Sequence, residues 1–481
     1  MIVDIRAKVL AALAWSAAGR FATQLISWVI TILVIRILTP DDYGLITMAA
    51  VLISLLYAVN DLGMDAVLVQ KPDLTQTDRQ HIFGLVITIN VFLFGALILV
   101  APWVAGFYDE PRVTAIIQVL SFQFLFHCFD TLPQSRLERE LAYKGRSIVE
   151  MVSALVGSLA TVTLAFMDFG VWALVWGSLL TTAVRTVGLN LTARCLVWPR
   201  WSLAVIRRHF KFGSFVCCYR ALYIAFAESD KIIGGKLLGK DALGYYAVAS
   251  HIASLPIQKL GGILNSVAFP AFSQANQQHD DIGDYLLKAT RIMGIVSIPM
   301  FLGISVIAQE LVLLLLGAKW AAVALPLQIL ALVMPLRMLS TIITSLFFGI
   351  GRPHINAQNY ALAILVMPLM FYFSTDWGVV GLSVAWLIGF PFLFVIFVWR
   401  VCHAVGIKPI RYLDAIYRPL CNSALMYGVV WLARPYMAGA SGEILHLVQL
   451  VVIGISVYMA GVMLIDRTTF RELTALLRKT S

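Results

Sequence analysis

The sequence predicts an all-α polytopic membrane protein with about fourteen transmembrane helices, and three observations lead to this fold class. First, 60% of the 481 residues are hydrophobic and only 13% are charged, which is about half the charged share of soluble domains. Second, the apolar residues form runs long enough to cross a bilayer. Third, similar segments recur about 200 residues apart, which indicates an internal repeat.

The predicted spans follow one another along the chain, and their connectors are too short for a soluble domain. Each contains about 20 predominantly apolar residues. They lie near 11–36, 44–69, 82–106, 114–134, 147–167, 171–196, 212–238, 244–270, 287–316, 321–349, 356–375, 378–402, 415–436 and 444–465. The chain opens with no short apolar run followed by a small-residue cleavage site, so no signal peptide is expected.

The distribution of Lys and Arg predicts the orientation, because these residues concentrate on the cytoplasmic side. With both termini placed in the cytoplasm, most Lys and Arg residues fall in inside segments. The predicted outside loops carry only Arg36, Arg112, Lys236, Lys240, Lys319 and Arg434. This bias accounts for the net charge of +10 and predicts attraction to anionic membrane lipids. No nucleic-acid partner is required.

The repeat is visible at several matched positions. Leu38, Asp41, Gly44 and Ala49 match Leu238, Asp241, Gly244 and Ala249, and Arg20 matches Arg220 at the same offset. "DFGVWAL" at 168–174 matches "DWGVVGL" at 376–382. The similarity spans six helices, an even number, so both copies enter the membrane in the same direction. Two such repeats predict the two lobes of an alternating-access transporter.

The predicted organisation is therefore an N-terminal six-helix lobe over 1–205 and a C-terminal six-helix lobe over 206–408. Two additional transmembrane helices and a short cytoplasmic tail complete the chain over 409–481.

Five stretches carry a family resemblance: "ILTPDDYGLI", "NDLGMDAVLVQK", "LPQSRLERELAYKGRSIVE", "ESDKIIGGKLLGKDALGYYAVA" and "LRMLSTIITSLFFGIGRP". With them the chain resembles the lipopolysaccharide/exopolysaccharide repeat-unit flippases of the multidrug/oligosaccharidyl-lipid/polysaccharide exporter superfamily. The resemblance covers about residues 1–405. It implies a transporter that moves undecaprenyl-pyrophosphate-linked oligosaccharides from the cytoplasmic to the periplasmic leaflet of the bacterial inner membrane. Other polysaccharide-assembly proteins are possible partners.

Polar stripes on apolar helices predict where such a substrate would bind, because a charged head group cannot cross hydrocarbon unaided. Arginine suits pyrophosphate through its planar fork of donors, and its charge survives burial. The candidate substrate-binding residues are Arg20, Arg220, Lys259, Arg337, Gln24 and Gln258. The alternative for each arginine is neutralisation by a structural acid such as Asp61 or Glu228. Arg185 is expected to snorkel toward the interface.

Four acids are candidates for binding a coupling cation or proton: Asp61, Asp65, Glu228 and Asp230. Ionisable groups inside a membrane point to function. However, Glu228 and Lys231 are three residues apart on a helix and could simply pair. Asp130 lies one turn from His127, and the same two interpretations, a coupling site or a structural pair, stay open for it.

Other signals predict no further chemistry. The sequence from Gly234 to Lys240 approaches a phosphate-binding loop, but Asp241 replaces the required Ser or Thr. The six cysteines contain no C-x-x-C pair, so no metal site or disulfide framework is expected, and no cofactor is expected.

Two alternative functions remain. A multidrug or cation antiporter of the same superfamily would have a carboxylate at its centre, and a membrane polysaccharide polymerase or ligase would carry a large periplasmic loop. We expect no enzymatic activity.

Overall fold

The computed structural model describes residues 26–58, 60, 64, 68, 75–140, 142–195, 197–201, 203–278, 281–437 and 442–465, apart from the side chains at 143, 203–217 and 262–267. These ranges are almost entirely helical and contain no strand, which confirms the all-α fold. The chain divides into two compact units, one ending at Gly244 and the other beginning at Tyr245. The lobe boundaries predicted at 205/206 and 408/409 stay predictions.

The first unit contains short and long helices in the described ranges. They are α1 (Ile26–Ile37), α2 (Pro40–Tyr57), α3 (Gln76–Tyr108), α4 (Arg112–Leu120), α5 (Phe122–His127), α6 (Thr131–Arg139), α7 (Tyr143–Phe166), α8 (Val171–Ala193) and the first part of α9 (Leu203–Gln278). Thr39 and Thr75 begin α2 and α3 with capping boxes, in which Asp42 and Asp78 accept the reciprocal hydrogen bonds. These caps satisfy backbone donors that lack partners within the helix.

The second unit begins with the remainder of α9. It continues with α10 (Ile282–Val306), α11 (Ala308–Leu316), a 3₁₀ turn (Ala318–Val323), α12 (Ala324–Gly349), α13 (Pro353–Ser374), α14 (Gly378–Val405), α15 (Pro409–Met437) and α16 (Glu443–Ile465). Its core is rich in large side chains, and Trp320, Trp386 and Tyr246 are almost fully buried.

Seven helical stretches in the described ranges are long and apolar enough to cross a membrane, or eight when the bent helices α4 to α6 form one span. One of the seven is a 53-residue stretch, Pro353–Val405, that contains both α13 and α14. The predicted total of about fourteen spans is consistent with this architecture but remains a prediction.

Helix α9 is interrupted at Gly239, where φ is 79° and ψ is 179°. A positive φ favours glycine, which lacks the Cβ that would clash there. The interruption lies between the spans predicted at 212–238 and 244–270, so it confirms that two helices meet here.

The span predicted near 114–134 contains a bend of 45° between α4–α5 and α6. Pro133 has no N–H to donate to the carbonyl of Phe129. The side chain of Asn190, on α8, donates to that carbonyl instead at 2.9 Å. The freed backbone acceptor is thereby satisfied at the bend, as the interior of a membrane protein requires.

The repeat appears in the structure as matched backbone features. Gly170 immediately precedes α8 with φ 55° and ψ −133°, and Gly378 begins α14 with φ 63° and ψ −144°. These glycines occupy equivalent places in the two copies of the D-x-G-V segment. The same unusual turn therefore starts a helix in both halves of the sequence.

A second pair of repeat-related glycines forms a reciprocal contact. A Cβ on Gly44 would lie 1.9 Å from the carbonyl oxygen of Lys240, and a Cβ on Gly244 would lie 1.9 Å from that of Pro40. Each glycine thus lies against the backbone of the other copy of the repeated loop. The repeated sequence allows both backbones to approach each other closely.

We expect Gly44→Ala and Gly244→Ala each to lower the free energy of unfolding by about 1–3 kcal/mol, because the new methyl group meets backbone rather than a flexible side chain. Thermal unfolding of the purified protein in detergent measures this effect. Gly95→Ala is the matched control, since a Cβ on Gly95, in α3, meets nothing within 4 Å. Equal shifts for all three variants would contradict the close-packing interpretation.

Candidate functional site

Several predicted site residues lie outside the described residues, namely Arg20, Gln24, Asp61 and Asp65. Their roles therefore stay predictions. The other predicted residues belong to both units of the structure. Arg220, Glu228 and Asp230 lie in the first unit, and Gln258, Lys259 and Arg337 lie in the second.

Arg220 is half-buried on the first part of α9. The rings of Tyr219 and Tyr223 stack beside it, with centroids 6.5 Å apart and an interplanar angle of 17°. This segment therefore has a half-buried cation and a pair of stacked aromatic rings on neighbouring turns.

Arg337 is half-buried in α12, and its guanidinium carbon lies 4.5 Å from the ring centroid of Trp386. Trp386 in turn donates its indole N–H to the hydroxyl of Tyr246 at 2.9 Å. Stacking on an aromatic face stabilises a guanidinium while leaving its N–H donors available in the ring plane. The contact with Trp386 thus fixes the orientation of the Arg337 side chain, and its predicted role in substrate binding stays a prediction.

Lys259 and Gln258 are exposed on the second part of α9. Gln258 donates to the hydroxyl of Ser254 at 3.0 Å, and Ser254 donates to the carbonyl of His251 at 2.9 Å. His251, Ser254 and Gln258 are therefore linked by hydrogen bonds along one face of this helix.

The acids on the first part of α9 have partners. Glu228 accepts from Lys231 at 2.6 Å, so the pairing that their spacing allows is formed. Asp230 is 2% exposed and accepts the backbone N–H of Lys231 at 2.7 Å. These contacts favour a structural role for Glu228, whereas the coupling role of either acid stays a prediction.

A buried polar cluster lies at the bend between α5 and α6, around Asp130, for which the sequence left both a coupling role and a structural role open. Asp130 is fully buried, and its Oδ2 lies 3.5 Å from both His127 Nδ1 and Arg185 Nη1. Arg185 also donates to Gln134 at 2.7 Å. The predicted snorkelling of Arg185 is therefore wrong, because the buried carboxylate and the amide draw its guanidinium inward.

This cluster continues toward the protein surface as a chain of polar contacts. Gln134 donates to Glu138 at 3.2 Å, Glu138 pairs with Arg146 at 2.5 Å, and Arg146 pairs with Glu150 at 2.7 Å. Side chains from α6, α7 and α8 thus connect a buried carboxylate to exposed charges. The sequence signal for this site is an acid three residues before a helix-breaking proline.

A second charged cluster joins the repeated loop to the α3–α4 connector. Glu110 lies 3.0 Å from Arg112 and 2.7 Å from Lys240, and Asp41 lies 3.1 Å and 3.0 Å from the same two cations. Lys236 and Asp109 form a further pair at 2.7 Å. All three cations come from loops predicted to face outward.

The hydrogen bond from Arg112, followed by the one from Lys240, lowers the pKa of Glu110 from 4.5 to about 2. A lowered folded-state pKa gives stability that is present above about pH 4.5 and is lost as the pH falls toward about 2. We therefore expect Glu110→Gln to unfold at a lower temperature than the wild type at neutral pH. This difference should shrink as the pH falls through that range. A difference independent of pH would contradict the assignment.

An apolar cavity of about 410 Å³ lies in the second unit between α10, α15 and α16. Its walls include Pro299, Gly303, Val430, Leu450 and Gly454. No charged side chain lines it, so it suits a hydrocarbon chain.

The comparisons with known proteins agree with this architecture. The family described as "Polysaccharide biosynthesis protein" matches residues 33–325. The chain belongs to this family. The teichuronic acid biosynthesis protein TuaB of Bacillus subtilis (strain 168) is 26% identical over 76% of this chain and 77% of its own length. The lipopolysaccharide biosynthesis protein WzxC of Escherichia coli (strain K12) is 24% identical over 80% and 79%.

Among solved structures, the lipid II flippase MurJ in its inward closed conformation superposes with a TM-score of 0.74. The match covers 95% of this chain and 100% of MurJ at 13% sequence identity. At this identity the likeness shows the fold alone. This member of the polysaccharide biosynthesis family therefore has a MurJ-like fold.

Proposed function

We propose that the protein is a flippase that moves undecaprenyl-pyrophosphate-linked oligosaccharide repeat units from the cytoplasmic to the periplasmic leaflet by alternating access. It would serve exopolysaccharide or lipopolysaccharide assembly in the bacterial inner membrane. One observation carries the proposal. This protein belongs to the polysaccharide biosynthesis family and has two half-buried arginines, Arg220 and Arg337, within apolar helices. Such cations suit a pyrophosphate that must pass through hydrocarbon.

The proposed substrate has parts that match different surfaces. Arg20, Arg220, Lys259 and Arg337 would bind the doubly charged pyrophosphate, and Gln24 and Gln258 would contact the polar head group. The apolar cavity between α10, α15 and α16 would hold part of the isoprenoid tail. The positive character of these sites disfavours the cationic drugs that an antiporter would carry.

The two lobes at 1–205 and 206–408 would alternate between inward- and outward-facing states, and the helices over 409–481 would flank them. Asp61, Asp65, Glu228 and Asp230 remain the proposed sites for a coupling cation or proton. A buried carboxylate can link substrate movement to ion binding because its charge is costly without a partner.

The decisive experiment is genetic complementation. Deletion of the gene is expected to abolish surface polysaccharide and to leave lipid-linked repeat units in the cytoplasmic leaflet. A plasmid copy should restore export. Normal export in the deletion strain, combined with increased sensitivity to cationic drugs, would favour the antiporter instead. In vitro synthesis of polymer by the purified protein would favour an enzyme.

The proposed orientation predicts which positions an impermeant thiol reagent can reach. In a cysteine-free background, Lys319→Cys should be labelled in intact cells, whereas Lys408→Cys should be labelled only after the cells are broken. The reason is that Lys319 falls in a predicted periplasmic loop and Lys408 in a predicted cytoplasmic one. The reverse pattern would contradict the orientation.

A further inference from the structure

Asp130 lies at the bend between α5 and α6, and its side chain is fully buried. Neither of its carboxylate oxygens accepts a hydrogen bond from the described part of the chain. The nitrogen atoms that approach it, His127 Nδ1 and Arg185 Nη1, both lie 3.5 Å from Oδ2. A charge-assisted hydrogen bond is shorter, at about 2.7–2.9 Å. The negative charge of Asp130 is therefore poorly compensated for a buried group.

The other almost fully buried acid among the described residues, Asp230, is in a different situation. Its carboxylate accepts the backbone N–H of Lys231 at 2.7 Å. Glu228, on the same helix, accepts a hydrogen bond from the side chain of Lys231 at 2.6 Å. Hydrogen bonds of this kind stabilise the charged form of a carboxylate. Asp130 has none in the described ranges, which makes it the acid whose charge a bound ion would relieve.

The neighbours of this acid suit a proton better than a metal cation. Arg185 keeps its positive charge under all ordinary conditions, so it would repel a metal ion at the carboxylate of Asp130. A metal ion also needs several ligands, and the described residues contain no group of three His, Cys, Asp or Glu side chains placed to bind one. A proton needs a single acceptor, and His127 and Asp130 offer two acceptors 3.5 Å apart.

Helices α2, α3 and α8 pack against the bend. From α8 comes Arg185, whose guanidinium faces the carboxylate. From α2 comes Tyr57, whose ring lies edge-on to that of His127 with centroids 5.1 Å apart. From α3 comes the apolar ring of Phe83, which packs on Phe129 with centroids 6.0 Å apart. The titratable and charged groups that face the acid are thus a histidine, an arginine and, behind the histidine, a tyrosine.

A chain of polar groups leads from the acid to the protein surface. Arg185 donates to the side chain of Gln134 at 2.7 Å, and Gln134 donates to Glu138 at 3.2 Å. Glu138 pairs with Arg146 of α7, which is partly exposed. This chain gives a proton a polar route to the buried carboxylate. It also leaves Arg185 with a hydrogen-bond acceptor, Gln134, when the carboxylate is neutral.

We propose that His127 and Asp130 together bind one proton, and that this proton loosens the bend between α5 and α6. The proton comes from bulk water and is shared by Nδ1 of the histidine and Oδ2 of the carboxylate, so the charge of the pair changes from −1 to zero. Arg185 stays charged and loses the attraction that draws α8 toward the bend. That the proton drives substrate movement rests on the proposed function, whereas the proton site rests on the geometry above.

Two native cysteines provide a test. Cys128 is buried next to the bend, and Cys402 is buried in the second unit. Full-length protein in detergent keeps one of the two, with the other cysteines replaced by serine, and is labelled with methyl methanethiosulfonate. The ratio of the two labelling rates at each pH removes the pH dependence of thiol chemistry, which both proteins share. A rise in this ratio reports opening at the bend.

Lowering the pH from about 8 to about 5, the range in which an ordinary histidine titrates, is expected to raise the ratio at least about tenfold. Asp130→Asn mimics the neutral pair. Its ratio at high pH should match that of the wild type at low pH, and it should change little with pH. His127→Gln should keep the low ratio at high pH and respond less to acid, because the proton loses one of its two acceptors.

Glu310→Gln is the matched control, because it neutralises the half-buried acid of another acid–arginine pair, with Arg434, in the second unit. It should leave the ratio unchanged at both pH values. Three results would overturn the inference: a wild-type ratio that does not rise in acid, a rise that persists in Asp130→Asn, or the same effect from Glu310→Gln.

Complementation tests the proposed function separately. A pH response of the bend in a protein that export does not need would sink the proposed function and leave the proton site standing. Restored export by a protein whose bend shows no pH response would sink the proton site alone.

Discussion

Replacing Arg220 with alanine is expected to abolish polysaccharide export while the protein still reaches the membrane in normal amount. A guanidinium that holds a pyrophosphate through two charge-assisted hydrogen bonds contributes about 3 kcal/mol, or about 150-fold in binding. Arg20→Ala, at the repeat-related position, should have a similar effect. Lysine at position 220 should restore export only in part, because it keeps the charge and loses the fork. Export normalised to membrane protein level measures the effect.

The competing explanation is that Arg220 serves only to neutralise a structural acid. In that case alanine would lower the amount of protein, since an uncompensated charge would remain. Neutralising Glu228 at the same time would then restore both protein and export. Glu228 is a poor candidate for that structural acid, because its carboxylate already pairs with Lys231. Arg411→Ala, an exposed charge on α15, is the control and should leave export unchanged.

The overall architecture was predictable because bilayer-spanning helices leave a strong signal. Long apolar runs depend only on local sequence. The repeat was also predictable, since the Gly44 and Gly244 loops and the Gly170 and Gly378 turns keep residue types that their backbones require. The reciprocal contact of Gly44 with Lys240 and of Gly244 with Pro40 explains why both copies of the repeated loop have a glycine at this position.

Details that depend on contacts between distant residues could not be read from the sequence. The bend at Asp130 depends on Asn190, which supplies the hydrogen bond that Pro133 cannot. Arg185 appears in the sequence as a lone cation in an apolar helix, so its inward turn toward Asp130 becomes visible only when α6 and α8 pack together.

The buried pair of Asp130 and Arg185 predicts an asymmetric response to mutation. Asp130 is fully buried, whereas the Arg185 side chain is 29% exposed. Arg185→Gln would leave the buried Asp130 carboxylate without its arginine partner, with His127 as its remaining polar neighbour at 3.5 Å, and should destabilise the protein by about 3–5 kcal/mol. Asp130→Asn leaves Arg185 able to reach water and polar neighbours, so its effect should be much smaller. Membrane protein level and thermal unfolding in detergent measure both variants.

The double variant Asp130→Asn/Arg185→Gln separates charge pairing from packing. It removes both charges while keeping similar side-chain volumes, so it should recover most of the stability that Arg185→Gln loses. Arg146→Gln is the matched control, because the pairs of Arg146 with Glu138 and Glu150 are partly exposed and such pairs contribute at most about 1 kcal/mol. If the double variant were as unstable as Arg185→Gln, the hydrogen bond from Arg185 to Gln134, rather than the ion pair, would hold α6 against α8. If it were stable but unable to export, Asp130 would have a role in the transport cycle beyond its structural pairing, as a charge buried within a membrane helix bundle suggests.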